Sequence, residues 1–235
     1  MCPVPEEDWQ RAVAVVAHPD DLEYGAASAV ARWTAQGKEI SYVLVTEGEA
    51  GIDGMAPDEA GPLRQEEERR SAAIVGVHRV EFLGHPDGMV EMGLALRRDI
   101  AGALRRARPD IVITMNFDLT WGEEGAVNHA DHRATGISVL DACRDAANRW
   151  LFTGEGEPWG GIRYVYASGG GAPTHFVDVS TTIDAGVASL REHKAYIDGL
   201  GRDFDPDEFL RNMAGFTGMS AGCEYAVAFQ RFKVG

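Results

Sequence analysis

Cysteine is scarce in this chain: Cys2, Cys143 and Cys223 are the only three in 235 residues, and they lie far apart. An odd, scattered set supports neither a disulfide framework nor a cysteine-based zinc site, so a reducing, cytoplasmic setting is expected. Long apolar runs are also missing, and nothing approaches the roughly 18 consecutive apolar residues that a membrane span needs. The opening MCPVPEEDWQ has neither the basic nor the apolar region of a signal peptide, so neither secretion nor membrane insertion is expected. Positive charge is the third shortage: 22 Lys and Arg stand against 37 Asp and Glu, a net charge of −15. That balance argues against a nucleic-acid backbone or an anionic membrane as partner and by itself implies little more than solubility. Two motifs are absent as well. No G-x-G-x-x-G follows the first apolar run, where His-Pro-Asp-Asp stands instead, and those carboxylates would repel a dinucleotide pyrophosphate. No G-x-S-x-G elbow occurs, which removes the usual serine-hydrolase arrangement.

What is present suits one soluble domain with a substantial core, since 45% of residues are hydrophobic. The valine-rich run Ala12 to Ala17 has the pattern of a strand buried on both faces. A helix from Leu22 to Gln36, ended by Gly37, and a strand from Ile40 to Val45 complete a βαβ unit. Further rounds follow: a helix over Leu63 to Val75, a strand over Val77 to Leu83, a helix over Leu94 to Arg106 and a strand over Asp110 to Met115. This alternation predicts an α/β fold, a Rossmann-like three-layer αβα sandwich around a mostly parallel sheet. Beyond Trp150 glycine becomes frequent. Strands at Ile162 to Ala167 and His175 to Val179 and a helix at Ile183 to Tyr196 are expected there. The chain is thus divided into a core of about 11–150 and a small C-terminal cap or edge of about 151–235, within a single domain.

In such sheets ligands bind beyond the carboxyl ends of the strands. His18, Asp20 and Asp21 stand at the first of these ends, where two adjacent carboxylates repel and a cation relieves the cost. Either aspartate could instead cap the following helix. After the fourth strand, Asn128-His129-Ala130-Asp131-His132 places two histidines three residues apart before an expected helix, Ala134 to Arg149, so that both rings can face one side. Together the two clusters supply the nitrogen and oxygen donors of a catalytic zinc site, and ferrous iron accepts a similar set.

The segment AHPDDLEYGAAS resembles the signature of the PIG-L/LmbE-like N-deacetylase family, and His129-Ala130-Asp131-His132 is similar to its H-x-D-H motif. Segments around Leu63 to Glu67, Phe82 to Gly84 and Asp87-Gly88 agree in order and spacing, and the likeness runs from about Val13 to about Ile197. It implies a metal held by His18, Asp21 and His132, with Zn2+ expected and Fe2+ an alternative. It also implies Asp20 as general base, His129 as electrostatic stabiliser and general acid, and Asp131 as the carboxylate that tunes it. The implied reaction is removal of an acetyl group from an N-acetylglucosamine-type sugar or glycoconjugate. Such a centre lowers the pKa of water and polarises the amide carbonyl, while a group with a pKa near 7 serves the departing amine.

Arg64 and Asp87 match positions where relatives contact sugar or polyol hydroxyls, although Arg64 could equally pair with the glutamates that follow it on the helix surface. Glu47 and Glu49 could line the pocket or be solvated, and Asn128 is a candidate hydrogen-bonder beside the acid histidine. His78, His85, His175 and His193 are taken as structural or rim residues, His85 being the best placed for more. Two departures from the family pattern stand out. Val127 replaces a tyrosine found in a mycothiol-pathway relative, and His193-Lys194-Ala195-Tyr196 stands where His-x-Ser-Gln is common. Competing readings are an amidase of a larger conjugate, such as a thiol conjugate, and a catalytically silent sugar binder. The expected partner is a small-molecule N-acylated sugar or glycoconjugate, and a homo-oligomer is left open.

Overall fold

The structure is a computed structural model that describes residues 1–6, 8–121, 125–201 and 203–234. Its elements in chain order are β1 (Cys2–Pro3), β2 (Arg11–Val16), α1 (Ala27–Ala35), β3 (Glu39–Leu44), α2 (Pro57–Ile74), β4 (Val80–Phe82), α3 (Leu94–Ala107), β5 (Ile111–Met115), β6 (Thr120–Trp121), β7 (Ala126–Val127), α4 (Ala130–Ala147), β8 (Tyr164–Ser168), β9 (His175–Asp178), α5 (Ile183–Leu190), α6 (Lys194–Gly199), α7 (Pro206–Ala221) and β10 (Ala226–Lys233). Eight strands form one sheet in the order β1-β9-β10-β8-β5-β2-β3-β4. All pairings within it are parallel except those of β10 with β8 and with β9.

The valine run of β2 is apolar throughout because helices cover both faces of the sheet. Ala12, Ala14 and Val16 join one core cluster with Trp33 of α1 and Ala72 of α2. Val13 and Val15 point the other way, into a second cluster with Ile100 and Leu104 of α3 and Val139 of α4. Trp33 and Leu104 are fully buried, and each large apolar side chain hidden this way contributes about 1.5–3 kcal/mol. β2 lies between β3 and β5, so the connections leaving β2 and β5 diverge to opposite sides. A crevice opens at such a divergence, beyond the strand ends.

The three-layer α/β fold and its mostly parallel sheet are as expected, and the departures are local. The first helix begins at Ala27 rather than Leu22, because residues 19–26 form turns. There the Leu22 carbonyl accepts from the amides of Gly25, Ala26 and Ala27. The second begins at Pro57, where proline suits the first helical turn. The expected helix Ile183 to Tyr196 is broken into α5 and α6. Finally, α7 and β10 were not foreseen, and β10 inserts antiparallel between β8 and β9. The segment after residue 150 therefore completes one side of the sheet as well as supplying α5, α6 and α7. Helices α5 and α7 enclose a small apolar cluster of Ile183, Val187, Leu190, Leu210 and Ala214. Among the described residues no helix is long and apolar enough to cross a membrane.

Candidate active site

β2 ends at Val16, and the chain turns at once. The Asp21 carboxylate accepts from the backbone amides of Ala17 (3.0 Å) and His18 (2.8 Å), folding the loop back on the strand end. From the other side, α4 starts at Ala130, four residues earlier than expected, with His129 as its N-cap. Asp131 and His132 thereby fall in the first helical turn and project toward β2. His18 Nδ1 lies 3.3 Å from His132 Nε2 and 3.7 Å from Asp21 Oδ2, and His132 Nε2 lies 3.0 Å from Asp21 Oδ1. One ligand atom from each of His18, Asp21 and His132 lies within 4.8 Å of the others.

The opposite ring nitrogens are also engaged. His18 Nε2 faces Asp87 Oδ1 at 3.0 Å and Asp131 Oδ2 at 3.3 Å, and His132 Nδ1 faces Asn128 Oδ1 at 3.1 Å. Metal-binding histidines are oriented in this way, with the second nitrogen donating to an oxygen. Two imidazole nitrogens and a carboxylate match a three-ligand zinc set with an open fourth position, so the residues fit a divalent cation. Carboxylates crowd these rings, and their negative charge is what a cation would balance. Burial opposes protonation of His18, yet Asp131, Asp21 and Asp87 outweigh it and hold the ring well above the ordinary histidine range. Burial likewise works against an ionised Asp21, but His132 and His18 keep its carboxyl well below the usual range.

Two groups flank this triad. Asp20 is buried and adopts φ 94°, a left-handed conformation that a residue with a Cβ rarely takes. Burial pushes its carboxyl up to about 6, against the pull of Arg64, whose Nη2 donates to Asp20 Oδ2 at 2.9 Å. His129 is exposed, and its ring stands edge-on to His18 with centroids 4.9 Å apart. Burial of part of the ring and the neighbouring His18 hold its pKa below the ordinary value. All five residues line one cavity of about 770 Å³.

A profile for the GlcNAc-PI de-N-acetylase (PIG-L) family matches residues 13–143, more than half of the chain and the stretch that contains both histidine clusters. The chain belongs to the PIG-L family. A diacetylchitobiose deacetylase of Thermococcus kodakarensis is 28% identical over 233 residues, covering 94% of this chain and 83% of that protein. The solved diacetylchitobiose deacetylase of Pyrococcus horikoshii superposes with a TM-score of 0.85 at 23% identity, covering 97% of this chain and 85% of its own. A 4-carboxy-2-hydroxymuconate hydratase of Pseudomonas putida KT2440 superposes with a TM-score of 0.74 at 21% identity, over 94% of this chain and 95% of its own. At these identities the superpositions establish the fold, and the same architecture is seen to carry different chemistries.

Within this PIG-L domain several residues take roles the sequence did not disclose. Asn128 was a candidate substrate contact, but it is 2% exposed and does not line the cavity. Its Nδ2 donates to the carbonyls of Asn116 (3.1 Å) and Asp118 (3.0 Å), and its Oδ1 accepts from the His129 amide while facing His132. It therefore orients His132 from behind. Glu47 does not line the cavity either, because its carboxylate packs under Gly61 of α2. Glu49 Oε1 accepts from the Asp87 amide at 2.8 Å. The Asp131 carboxylate is fully buried on His18 and the amides of Gly88 (2.7 Å) and Val90 (3.2 Å). It bears on His129 through space, with ligand atoms of the two within 4.8 Å.

Arg64 makes no surface ion pair. It is 2% exposed, donates to Gly48 O (2.9 Å), Pro19 O (2.5 Å) and Asp20, and its guanidinium lies 4.3 Å from the centre of the Tyr196 ring. Asp87 lines the cavity while bonded to His18 and to the Ala50 amide. His85 lies away from the cavity lining and pairs with Asp99 at 3.1 Å. The strand-end rule points to the loop from Asn116 to His132, and Asn116 does line the cavity; Ser168, at the carboxyl end of β8, was not singled out although the same rule applies to it. Nor did the sequence reading single out Trp121 of the β6–β7 hairpin, whose ring stands 6.0 Å from that of His132, or a wall formed by Tyr24, Phe204, Phe209 and Met213. Residues 122–124, inside the loop expected to follow the fourth strand, lie outside the described residues.

Proposed function

We propose that this chain is a metal-dependent N-deacetylase that hydrolyses the acetamide of an N-acetylglucosamine-type sugar or glycoconjugate to free amine and acetate. The observation that carries the reading is the convergence of His18, Asp21 and His132 in one cavity, with a buried carboxylate and an accessible imidazole on either flank. The names of the relatives support the substrate class. Zinc suits two nitrogens and one carboxylate, and ferrous iron is the alternative. When bound, the ion would polarise the acetamide carbonyl and ease formation of hydroxide from water near neutral pH.

Every other step falls to the protein. Asp20 accepts the proton of the attacking water, a task for which a carboxyl with a pKa of about 6 is well matched. Protonated His129 faces the carbonyl oxygen as negative charge develops, then gives its proton to the amine nitrogen as the C–N bond breaks. Burial and His18 make His129 a stronger acid than a free histidine, which favours that transfer. Asp131 balances the charge from below and fixes His18. Arg64 holds Asp20, while Asp87 offers acceptor oxygens at the cavity wall. Asn128 serves as a support for His132.

The wall of Tyr24, Phe204, Phe209 and Met213 gives room beyond a single hexose, which favours a disaccharide or a larger conjugate over a free monosaccharide. A panel of N-acetylglucosamine, diacetylchitobiose, N-acetylglucosaminyl glycosides and thiol conjugates tests the reading. Acetate and amine released together from N-acetylglucosaminyl substrates are expected. Cleavage confined to the amide of thiol conjugates would instead assign the larger-conjugate amidase, and no turnover of any amide would leave the pocket a binding site.

A further inference from the structure

The left-handed backbone of Asp20 is unfavourable for a residue with a Cβ and persists only where the surroundings enforce it. Helix α2 enforces it from two sides. The Asp20 amide donates to Glu68 Oε2 at 3.2 Å, and Arg64 Nη2 grips both the Asp20 carboxylate and the preceding carbonyl of Pro19. Arg64 and Glu68 are four residues apart and so lie on one face of the helix. Both are buried, at 2% and 1% exposure.

A second segment presses on that same face from the cap. His193, at the break between α5 and α6, is fully buried with its Nε2 3.7 Å from Glu68 Oε2 and 3.7 Å from Glu23 Oε2. The Ala195 amide donates to Glu67 Oε1 at 2.7 Å, and Tyr196 covers the Arg64 guanidinium. Three of the four residues His193 to Tyr196 thus each meet a different residue of the α2 face that holds Asp20. Glu23 and Glu68 are neighbouring buried carboxylates, and the imidazole between them is the group that offsets their repulsion.

We infer that His193 is a positioning residue for the deacetylation: through Glu68 it fixes the backbone of Asp20, and the 193–196 segment clamps α2 so that the Asp20 carboxylate faces the reacting water. The inference rests on Asp20 being the general base, as proposed above. It gives a role to a histidine sunk out of the cavity lining and to the buried glutamate of α2 that it meets.

The test compares His193→Gln and Glu68→Met with the wild type for kcat, KM, metal content and melting temperature on an N-acetylglucosaminyl substrate that the wild type turns over. His175→Gln, a buried histidine on β9 away from the cavity, is the control for simple loss of packing. Misplacing a catalytic group by about 1 Å can cost on the order of 100-fold. A fall in kcat of about 10- to 100-fold is therefore expected in both variants, with KM within about twofold and metal content intact. His193→Lys, which restores a positive charge, is expected to recover part of that loss. If His193→Gln fails to fold, Glu68→Met, which removes the acceptor of the Asp20 amide while keeping a side chain of similar length, carries the test alone. Unchanged kcat in whichever variant folds overturns the inference, as does a kcat loss that tracks metal loss or is matched by His175→Gln. A wild type that releases no acetate would instead refute the deacetylase reading itself.

Discussion

Replacing Arg64 with methionine keeps an apolar stem but deletes the guanidinium, together with its bonds to Gly48 O, Pro19 O and Asp20 Oδ2 at 2.9, 2.5 and 2.9 Å. Adding these as independent bonds would overstate the loss, because they share one cation and the stem can refill part of the space. The governing effect is that a buried Asp20 carboxylate loses the guanidinium bonded to it, the strongest influence holding it ionised. Breaking a buried pair by removing one partner costs about 3–5 kcal/mol. For a chain of this length each kcal/mol moves the melting temperature by about 2–4 °C, so a drop of about 6–20 °C is expected at pH 8. The sign with pH follows from Asp20. Its folded pKa is already raised by burial to about 6, and loss of Arg64, the main opposing influence, raises it further. The penalty is therefore present while Asp20 is ionised and shrinks as pH falls through that raised value, so the gap to wild type should narrow at pH 5. Calorimetric melts at the two pH values provide the assay. A drop of less than about 3 °C at pH 8, or one of equal size at both pH values, would refute the reasoning.

Asp20→Asn is expected to lower kcat by about 10²–10⁴-fold while metal content is kept, because the base is lost and no ligand is removed. In the wild type, kcat/KM should fall on the acid side as Asp20 takes up its proton, and that limb should move to higher pH in Arg64→Met, which removes the cation that lowers the pKa of Asp20; an acid limb at the same pH in both proteins would exclude Asp20 as the base. Asn128→Ala removes the oxygen behind His132 Nδ1 and should weaken metal affinity by about 10–100-fold in a chelator competition, with little change in the KM of the fully loaded enzyme. Gly48→Ala would place a methyl 2.4 Å from Arg64 Nη1 at a backbone φ of +67°, so it should reproduce part of the Arg64→Met defect in melting temperature and turnover.

Much of this site is legible from the chain because it sits where a physical rule points. The run Ala12 to Val16 is apolar on both faces, which identifies a central strand, and His18 to Asp21 follow at its carboxyl end. The spacing of His129 and His132 indicates a shared helical side. What stays hidden depends on direction and tertiary contact. Asn128 looks like a pocket residue until α4 starts at Ala130 and turns its amide onto the loop of Asn116 and Asp118. Glu67 and Glu68 sit in the run Gln65 to Arg70, which reads as a solvated surface, yet they are 2% and 1% exposed because that face of α2 lies against the Asp20 loop and the cap. Nothing local announces the burial of His193, whose imidazole meets Glu23 and Glu68 from elsewhere in the chain only in the folded protein. The alternating Ala226 to Lys233 strand is recognisable only once β8 and β9 are seen to leave a gap between them.

The most direct test of the central claim measures metal content and acetate release on the same protein. Chelated protein is expected to be inactive. Reconstitution with zinc or ferrous iron should restore a single bound equivalent per chain and equal yields of acetate and free amine from an N-acetylglucosaminyl substrate, and both should be lost in His18→Ala and His132→Ala. Full turnover after the metal is removed, or metal binding that survives the loss of both histidines, would contradict a catalytic centre built on His18, Asp21 and His132.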